Sequence, residues 1–213
     1  MSIILSDLSW SIDDRTLFSN LNLTFGAERT GLVGRNGAGK TTLLNLISGV
    51  LPLQTGHISV SGTLGVLRQT VQVAAEDTLS DLFGVTDALA ILQCAEAGEA
   101  TAADLEAADW TLEARMSAAL ARVGLEAAPD TQLAALSGGQ RTRAGLAALV
   151  FSQPDFLLLD EPTNNLDRDG RRAVLDLLSG WRGGAIVVSH DRELLESMDA
   201  IVELTSLGAK RYG

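Results

Sequence analysis

The chain has 213 residues, long enough for one good core with a smaller lobe attached. Its 46% hydrophobic and 20% charged residues are ordinary for a folded soluble protein. No apolar run approaches the roughly 18 residues that cross a bilayer. Met1 to Asp7 lacks the basic start of a signal peptide, and a single cysteine excludes an intrachain disulfide, so a cytoplasmic location without membrane insertion is expected. The net charge of −11 is concentrated: Glu76 to Asp130 holds 12 acidic residues against two basic ones, Arg115 and Arg122, so this stretch carries −10 and the remainder −1. Such a field repels phosphate backbones, which speaks against broad nucleic-acid contact there; a well-solvated helical surface is the plainer reading.

Residues 1 to about 75 are rich in short apolar strands: Ile3-Ile4-Leu5, Leu21 to Phe25, Thr30 to Gly34, Ile58-Ser59-Val60 and Leu64 to Leu67, punctuated by Gly26, Gly56 and Gly62. Within them lies Gly34-Arg35-Asn36-Gly37-Ala38-Gly39-Lys40-Thr41-Thr42, which fits the Walker A pattern of glycine, four residues, then Gly-Lys-Thr. A strand precedes it, and Thr42 to Ile47 continues at helical spacing until a stop at Gly49. In that context the glycines turn consecutive N–H groups around a phosphate, and the helix start adds its positive dipole end. Lys40 is then placed for the β- and γ-phosphates, and the Thr41 hydroxyl for Mg²⁺.

From about 76 to 136 the composition changes to Ala, Leu and Glu, with helical spacing in Leu112, Met116, Ala119, Leu120 and Val123. Cys94 falls here and reads as a small helix-packing residue. Beyond Leu136, strands and helices alternate again. Phe156 to Leu159 and Ala185 to Val188 are apolar throughout, as parallel strands buried on both faces are. Asp160 and Glu161 follow the first of these runs in a Walker B arrangement: Asp160 is placed for Mg²⁺, Glu161 to act as general base on the attacking water. The expected fold is α/β of P-loop type: a mixed-sheet core from residues 1–75 and 137–213, with an antiparallel β subdomain and an inserted α-helical subdomain over about 76–136.

Leu136-Ser137-Gly138-Gly139-Gln140 opens a helical stretch running from Arg141 to Phe151. Serine and two glycines at a helix start make a second anion site, and Ser137 is also a natural N-cap. Here the chain resembles the ABC ATPase superfamily, whose signature motif is LSGGQ. The resemblance covers essentially the whole chain and implies that ATP is sandwiched head to tail between this domain and a second ABC ATPase domain. Ser137, Gly138, Gly139 and Gln140 would contact the nucleotide held by that partner. It implies that Gln69 is the Q-loop glutamine touching Mg²⁺ and the attacking water, that Asp167 in Asn165-Leu166-Asp167 belongs to the D-loop, and that His190 is the switch histidine at the γ-phosphate. The family often stacks adenine on an aromatic residue near the end of the first strand. By spacing that position is Ile12, with Trp10 two residues earlier, so either residue could cover the base, and Trp10 could equally be a core residue. His57 has no such context and is read as a strand or turn residue.

Two further stretches narrow the family. Ser137 to Leu149 reads SGGQRTRAGLAAL and Asp160 to Asp167 reads DEPTNNLD, forms similar to the ABC-F family, with Asn165 where a histidine is usual. That resemblance implies half of a two-cassette protein, the N-terminal ATPase domain, acting on the ribosome in translation or antibiotic resistance. It also implies an arm in the helical lobe, for which little length is available here. The rival reading is the ATP-binding, energy-coupling subunit of an ABC membrane transporter. A DNA-repair ATPase of the superfamily is disfavoured because no long heptad insertion is visible.

Overall fold

A computed structural model describes residues 1–13, 15–68, 74, 76–205 and 208–213. In chain order the elements are β1 (Ser2–Ile12), β2 (Arg15–Phe25), β3 (Arg29–Gly34), α1 (Lys40–Ile47), β4 (Thr55–Ser61), β5 (Leu64–Leu67), α2 (Leu79–Phe83), α3 (Thr86–Glu96), α4 (Ala102–Ala107) and α5 (Leu112–Arg122). A 3-10 turn at Leu133–Ala135 follows, then α6 (Gly138–Ser152), β6 (Phe156–Asp160), α7 (Arg168–Ser179), β7 (Gly184–Val188), α8 (Arg192–Glu196), β8 (Ala200–Thr205) and β9 (Gly208–Tyr212). The chain divides into two compact units: residues 1–70, 153–164 and 174–213 form one, residues 71–152 and 165–173 the other.

The first unit holds two sheets. The antiparallel one runs β2-β1-β4, and the six-stranded one runs β5-β6-β7-β3-β8-β9, parallel except for β9, which is antiparallel to β8. β6 and β7 are buried at every position, as their unbroken apolar runs require. Ile3, Leu5, Leu8 and Phe25 of the antiparallel sheet share a core with Leu43 and Ile47 of α1 and with Phe156, Leu158 and Ile186 of the parallel strands. The register places strand ends side by side: Val188 of β7 lies opposite both Leu32 of β3 and Asp160 of β6. The polar segments leaving these three strands therefore emerge together at one carboxyl edge. The fold is α/β, with a mixed six-stranded sheet, a separate antiparallel three-stranded sheet, and a run of helices inserted between β5 and β6.

In the second unit, α6 packs against α5 and α2. The spaced residues Leu112, Met116, Ala119, Leu120 and Val123 are all buried, and the Phe83 and Phe151 rings meet edge-on with centroids 5.4 Å apart. Several acidic residues of this unit start helices rather than merely face water. Thr78 with Asp81 and Thr101 with Asp104 form capping boxes. The Thr78 and Thr86 hydroxyls hold the Asp81 carboxyl at about 2. Cys94 corrects the expectation from sequence: it lies on α3 but is exposed, because Leu89 and Leu92 carry that helix's buried stripe.

Candidate functional site

The segment between β3 and α1 forms a tight loop. Ala38 N–H donates to the Arg35 carbonyl at 3.0 Å, and Gly39, at φ +94°, is the N-cap of α1. A side chain at Gly39 would be strained and would place its Cβ 2.7 Å from the Phe18 ring; one at Gly34 would meet the Leu204 carbonyl oxygen at 2.6 Å. Only glycine lets the loop lie this close to the core. Lys40 is buried, its ammonium donating to the carbonyls of Gly34 (2.9 Å) and Arg35 (3.4 Å). The cation is thus fixed over the cradle rather than free in solvent.

Three strand ends bring the acidic and basic groups to that loop. Asp160, the last residue of β6, is buried, and the Thr41 hydroxyl donates to its carboxylate. Burial raises the Asp160 carboxyl, opposed by the Thr41 bond and the Lys40 charge. Glu161 follows at φ +51°, a left-handed conformation unusual for a residue with a side chain. Its N–H is tied to the Val188 carbonyl at 2.8 Å, and its side chain is only 10% exposed. Burial raises this carboxyl too, opposed chiefly by His190, whose Nε2 lies 3.4 Å from Oε1. His190 is presented by local sequence: Ser189 ahead of it is buried and accepts from Asp191 N–H at 3.0 Å, and Asp191 caps α8.

These groups line a cleft of about 560 Å³ with Asn36, Gly37, Gly39, Thr41 and Thr42 of the loop. Of the two residues proposed for the base, Ile12 lines the cleft and is 51% exposed, whereas Trp10 is core. Trp10 Nε1–H donates to the Pro52 carbonyl at 3.3 Å. Equal two-residue spacing does not give them one face because the β1–β2 register shifts between Trp10 and Ser11. Arg15, Leu17 and Asn164 also line the cleft and were not singled out from sequence. Their only local signals are a basic residue just past Ile12 and an asparagine beside the noted Asn165. Gln69 lies outside the described residues. Among the described residues, no group of three or more His, Cys, Asp or Glu could hold a metal alone. One buried carboxylate and one hydroxyl beside a phosphate cradle instead fit Mg²⁺, which shares its shell with substrate phosphates and water.

In the second unit, Leu136 to Gln140 leads into α6. Ser137 is its N-cap: Gln140 N–H donates to Ser137 Oγ at 3.2 Å, and Ser137 N–H donates to Gln140 Oε1 at 2.9 Å, a reciprocal capping box. The cap leaves the serine hydroxyl proton available. A Cβ at Gly138 would meet nothing within 4 Å, whereas one at Gly139 would sit 2.8 Å from the Asn165 carbonyl oxygen. Arg143, one turn on, donates to the Gly124 carbonyl at 3.0 Å and pairs with Asp167. Asp167 in turn accepts from Gly170 N–H at 2.8 Å at the start of α7. The start of α6 and the segment Asn165 to Asp167 are therefore one hydrogen-bonded body.

The profile of the ABC transporter family matches residues 18–164. The chain belongs to that family. As an ABC ATPase domain it binds and hydrolyses ATP. The tylosin resistance ATP-binding protein TlrC of Streptomyces fradiae is 37% identical over 94% of this chain, which spans 42% of TlrC. The biotin transport ATP-binding protein BioM of Rhizobium etli is 32% identical over 95% of this chain and 89% of its own length. The ATP-binding protein Uup of Haemophilus influenzae is 35% identical over 78% of this chain but only 29% of Uup. In fold, the chain is similar to a dimeric ATP-binding cassette solved in a post-hydrolysis state with ADP and Pi, with a TM-score of 0.76, 20% identity and coverage of 99% of this chain and 97% of that one. Among the described residues no helix is long and apolar enough to cross a membrane.

Proposed function

We propose that residues 1–213 form one cytoplasmic ABC ATPase domain of ABC-F type, which closes head to tail on a second ABC ATPase domain around ATP. In this reading the whole protein acts on the ribosome, in translation or antibiotic resistance. The observation that carries the site assignment is the meeting of Lys40, Asp160, Glu161 and His190 around one glycine loop. The loop from Gly34 through Asn36, Gly37, Ala38 and Gly39 to Thr41 and Thr42 cradles the phosphates, and Lys40 neutralises the β- and γ-oxygens. Mg²⁺, when bound, neutralises charge developing between those phosphates; Thr41 and Asp160 would hold it, with Gln69 expected beside them. Glu161 takes the proton as water oxygen bonds to the γ-phosphorus and the bond to the β–γ bridging oxygen breaks, giving ADP and phosphate. His190 orients this group and contacts the γ-phosphate.

Ser137 to Gln140, held as a capped helix start with Asp167 tied to it, would serve the partner's nucleotide. The cap occupies the Ser137 and Gln140 N–H groups, so the Gly138 and Gly139 N–H groups and the Ser137 hydroxyl would find their anion only when a second domain presents one; ATP then joins the halves and hydrolysis releases them. The ABC-F placement is supported by the forms SGGQRTR and DEPTNNLD, and by TlrC, named for tylosin resistance and extending well beyond this chain. The transporter-subunit reading is kept by BioM, whose length the chain nearly matches. Sedimentation of the full-length protein separates them. ATP-dependent pelleting with ribosomes supports the first; co-fractionation with membranes and none with ribosomes supports the second.

A further inference from the structure

We propose that Arg15 supplies the nucleobase platform of this cleft, a guanidinium plane stacking on the base where an aromatic ring would otherwise lie. The inference rests on the phosphate-loop assignment above. Asn164 and Val188 are bonded to the Glu161 backbone at the hydrolytic end, so with the γ-phosphate facing Glu161 and His190 and the chain of phosphates along the loop, the nucleoside is left to Ile12, Arg15 and Leu17. None of these is aromatic. Trp10, two positions from Ile12, is buried with its indole N–H occupied by Pro52, and His190, the one ring among the described residues that lines the cleft, faces Glu161 at the hydrolytic end.

Arg15 is built for the task. It is the cross-strand partner of Ile12 at the end of the β1–β2 hairpin, so an exposed aliphatic group and an exposed guanidinium stand side by side. No carboxylate of the described residues pairs with it. Its Nη2 instead donates to the Gly37 carbonyl at 3.1 Å, which fixes one end of the plane to the phosphate loop. Gly37 itself has φ +79°, a backbone conformation that favours glycine, and the guanidinium packs against its Cα, where an added Cβ would lie at ordinary contact distance, 3.6 Å, from both Nη1 and Nη2. A guanidinium is flat, delocalised and weakly hydrated, and stacks on π-faces; held at one edge, it loses little entropy when a base covers it. Stacking reads the face of a base and not its edge, so ATP and GTP should gain alike.

Titration calorimetry on the whole chain with Mg²⁺ tests this, with ATP, GTP and inorganic tripolyphosphate as probes. Arg15→Ala is expected to weaken ATP and GTP roughly threefold to thirtyfold and to leave tripolyphosphate binding unchanged. Arg15→Lys, which keeps the charge but not the plane, should behave like Arg15→Ala, and adding Ile12→Tyr to Arg15→Ala should restore nucleotide binding. Equal losses for nucleotide and tripolyphosphate would make Arg15 a phosphate or loop contact and overturn the proposal, as would unchanged ATP affinity or full retention by Arg15→Lys. Wild-type protein that binds neither ATP nor tripolyphosphate would instead bring down the phosphate-loop assignment, and the platform with it.

Discussion

Glu161 combines features that a residue with only a structural task does not need: a left-handed backbone, near-complete burial of its carboxylate and a histidine 3.4 Å away. The strain and desolvation are sustained by the bond from its N–H to Val188 and by the sheet beneath. Glu161→Gln keeps shape and hydrogen bonding while removing the base, so ATP turnover should fall by about 10²-fold or more with nucleotide affinity retained, as read by phosphate release alongside calorimetry. Lys40→Ala should do the reverse, weakening ATP binding by roughly 10-fold to 100-fold through loss of charge-assisted bonds. Unchanged affinity in that variant would mean the phosphates lie elsewhere. The same scale shows the limit of pattern reading. Trp10 and Ile12 sit two apart in a strand, yet a register shift sends one into the core and leaves the other at the cleft.

At the scale of elements, two ties hold the functional segments. The first joins the starts of β3 and β8: Arg29 pairs with Asp199 through Nη2–Oδ1 at 2.6 Å and Nε–Oδ2 at 3.0 Å, and Arg29 N–H adds a third bond to Oδ2. Arg29 hydrogen bonds hold the Asp199 carboxyl at about 2, below its ordinary unfolded value near 4. The folded state then binds fewer protons, so the stabilisation is complete above about pH 4 and is lost as pH falls through about 2. Asp199→Asn should therefore be less stable than wild type at neutral pH, with the gap closing across that acid window in urea unfolding. The second tie is the seat of Gly139 on the Asn165 carbonyl, beside the Arg143–Asp167 pair. Gly139→Ala should cost about 1–3 kcal/mol by forcing these segments apart. Unfolding indistinguishable from wild type would show that the segments yield freely.

For the whole molecule, the proposed head-to-tail arrangement, in which Ser137 to Gln140 serves a partner's nucleotide, predicts association controlled by nucleotide. With Mg²⁺ and ATP, the Glu161→Gln protein should roughly double in mass by light scattering as a two-body complex forms, whereas Lys40→Ala should remain monomeric under the same conditions. A monomer in both would remove self-association and leave only a heterologous partner half.

What the order of amino acids determined unaided is whatever chemistry needs consecutive residues. The glycine loop proposed for the phosphates is a run of neighbouring residues, the Ser137–Gln140 box closes within one helical turn, and β6 and β7 declare double-faced burial in unbroken apolar runs. Helical spacing likewise marked the buried stripe of α5. The tertiary structure alone decided which strand ends meet, with β7 between β6 and β3 placing Glu161 and His190 side by side. It also decided that Cys94 faces outward, that Arg143 finds Asp167, and that Arg15 reaches Gly37. Such contacts join residues far apart in the chain and leave no period in it; they depend on register, strand order and the direction each side chain takes once the core has closed.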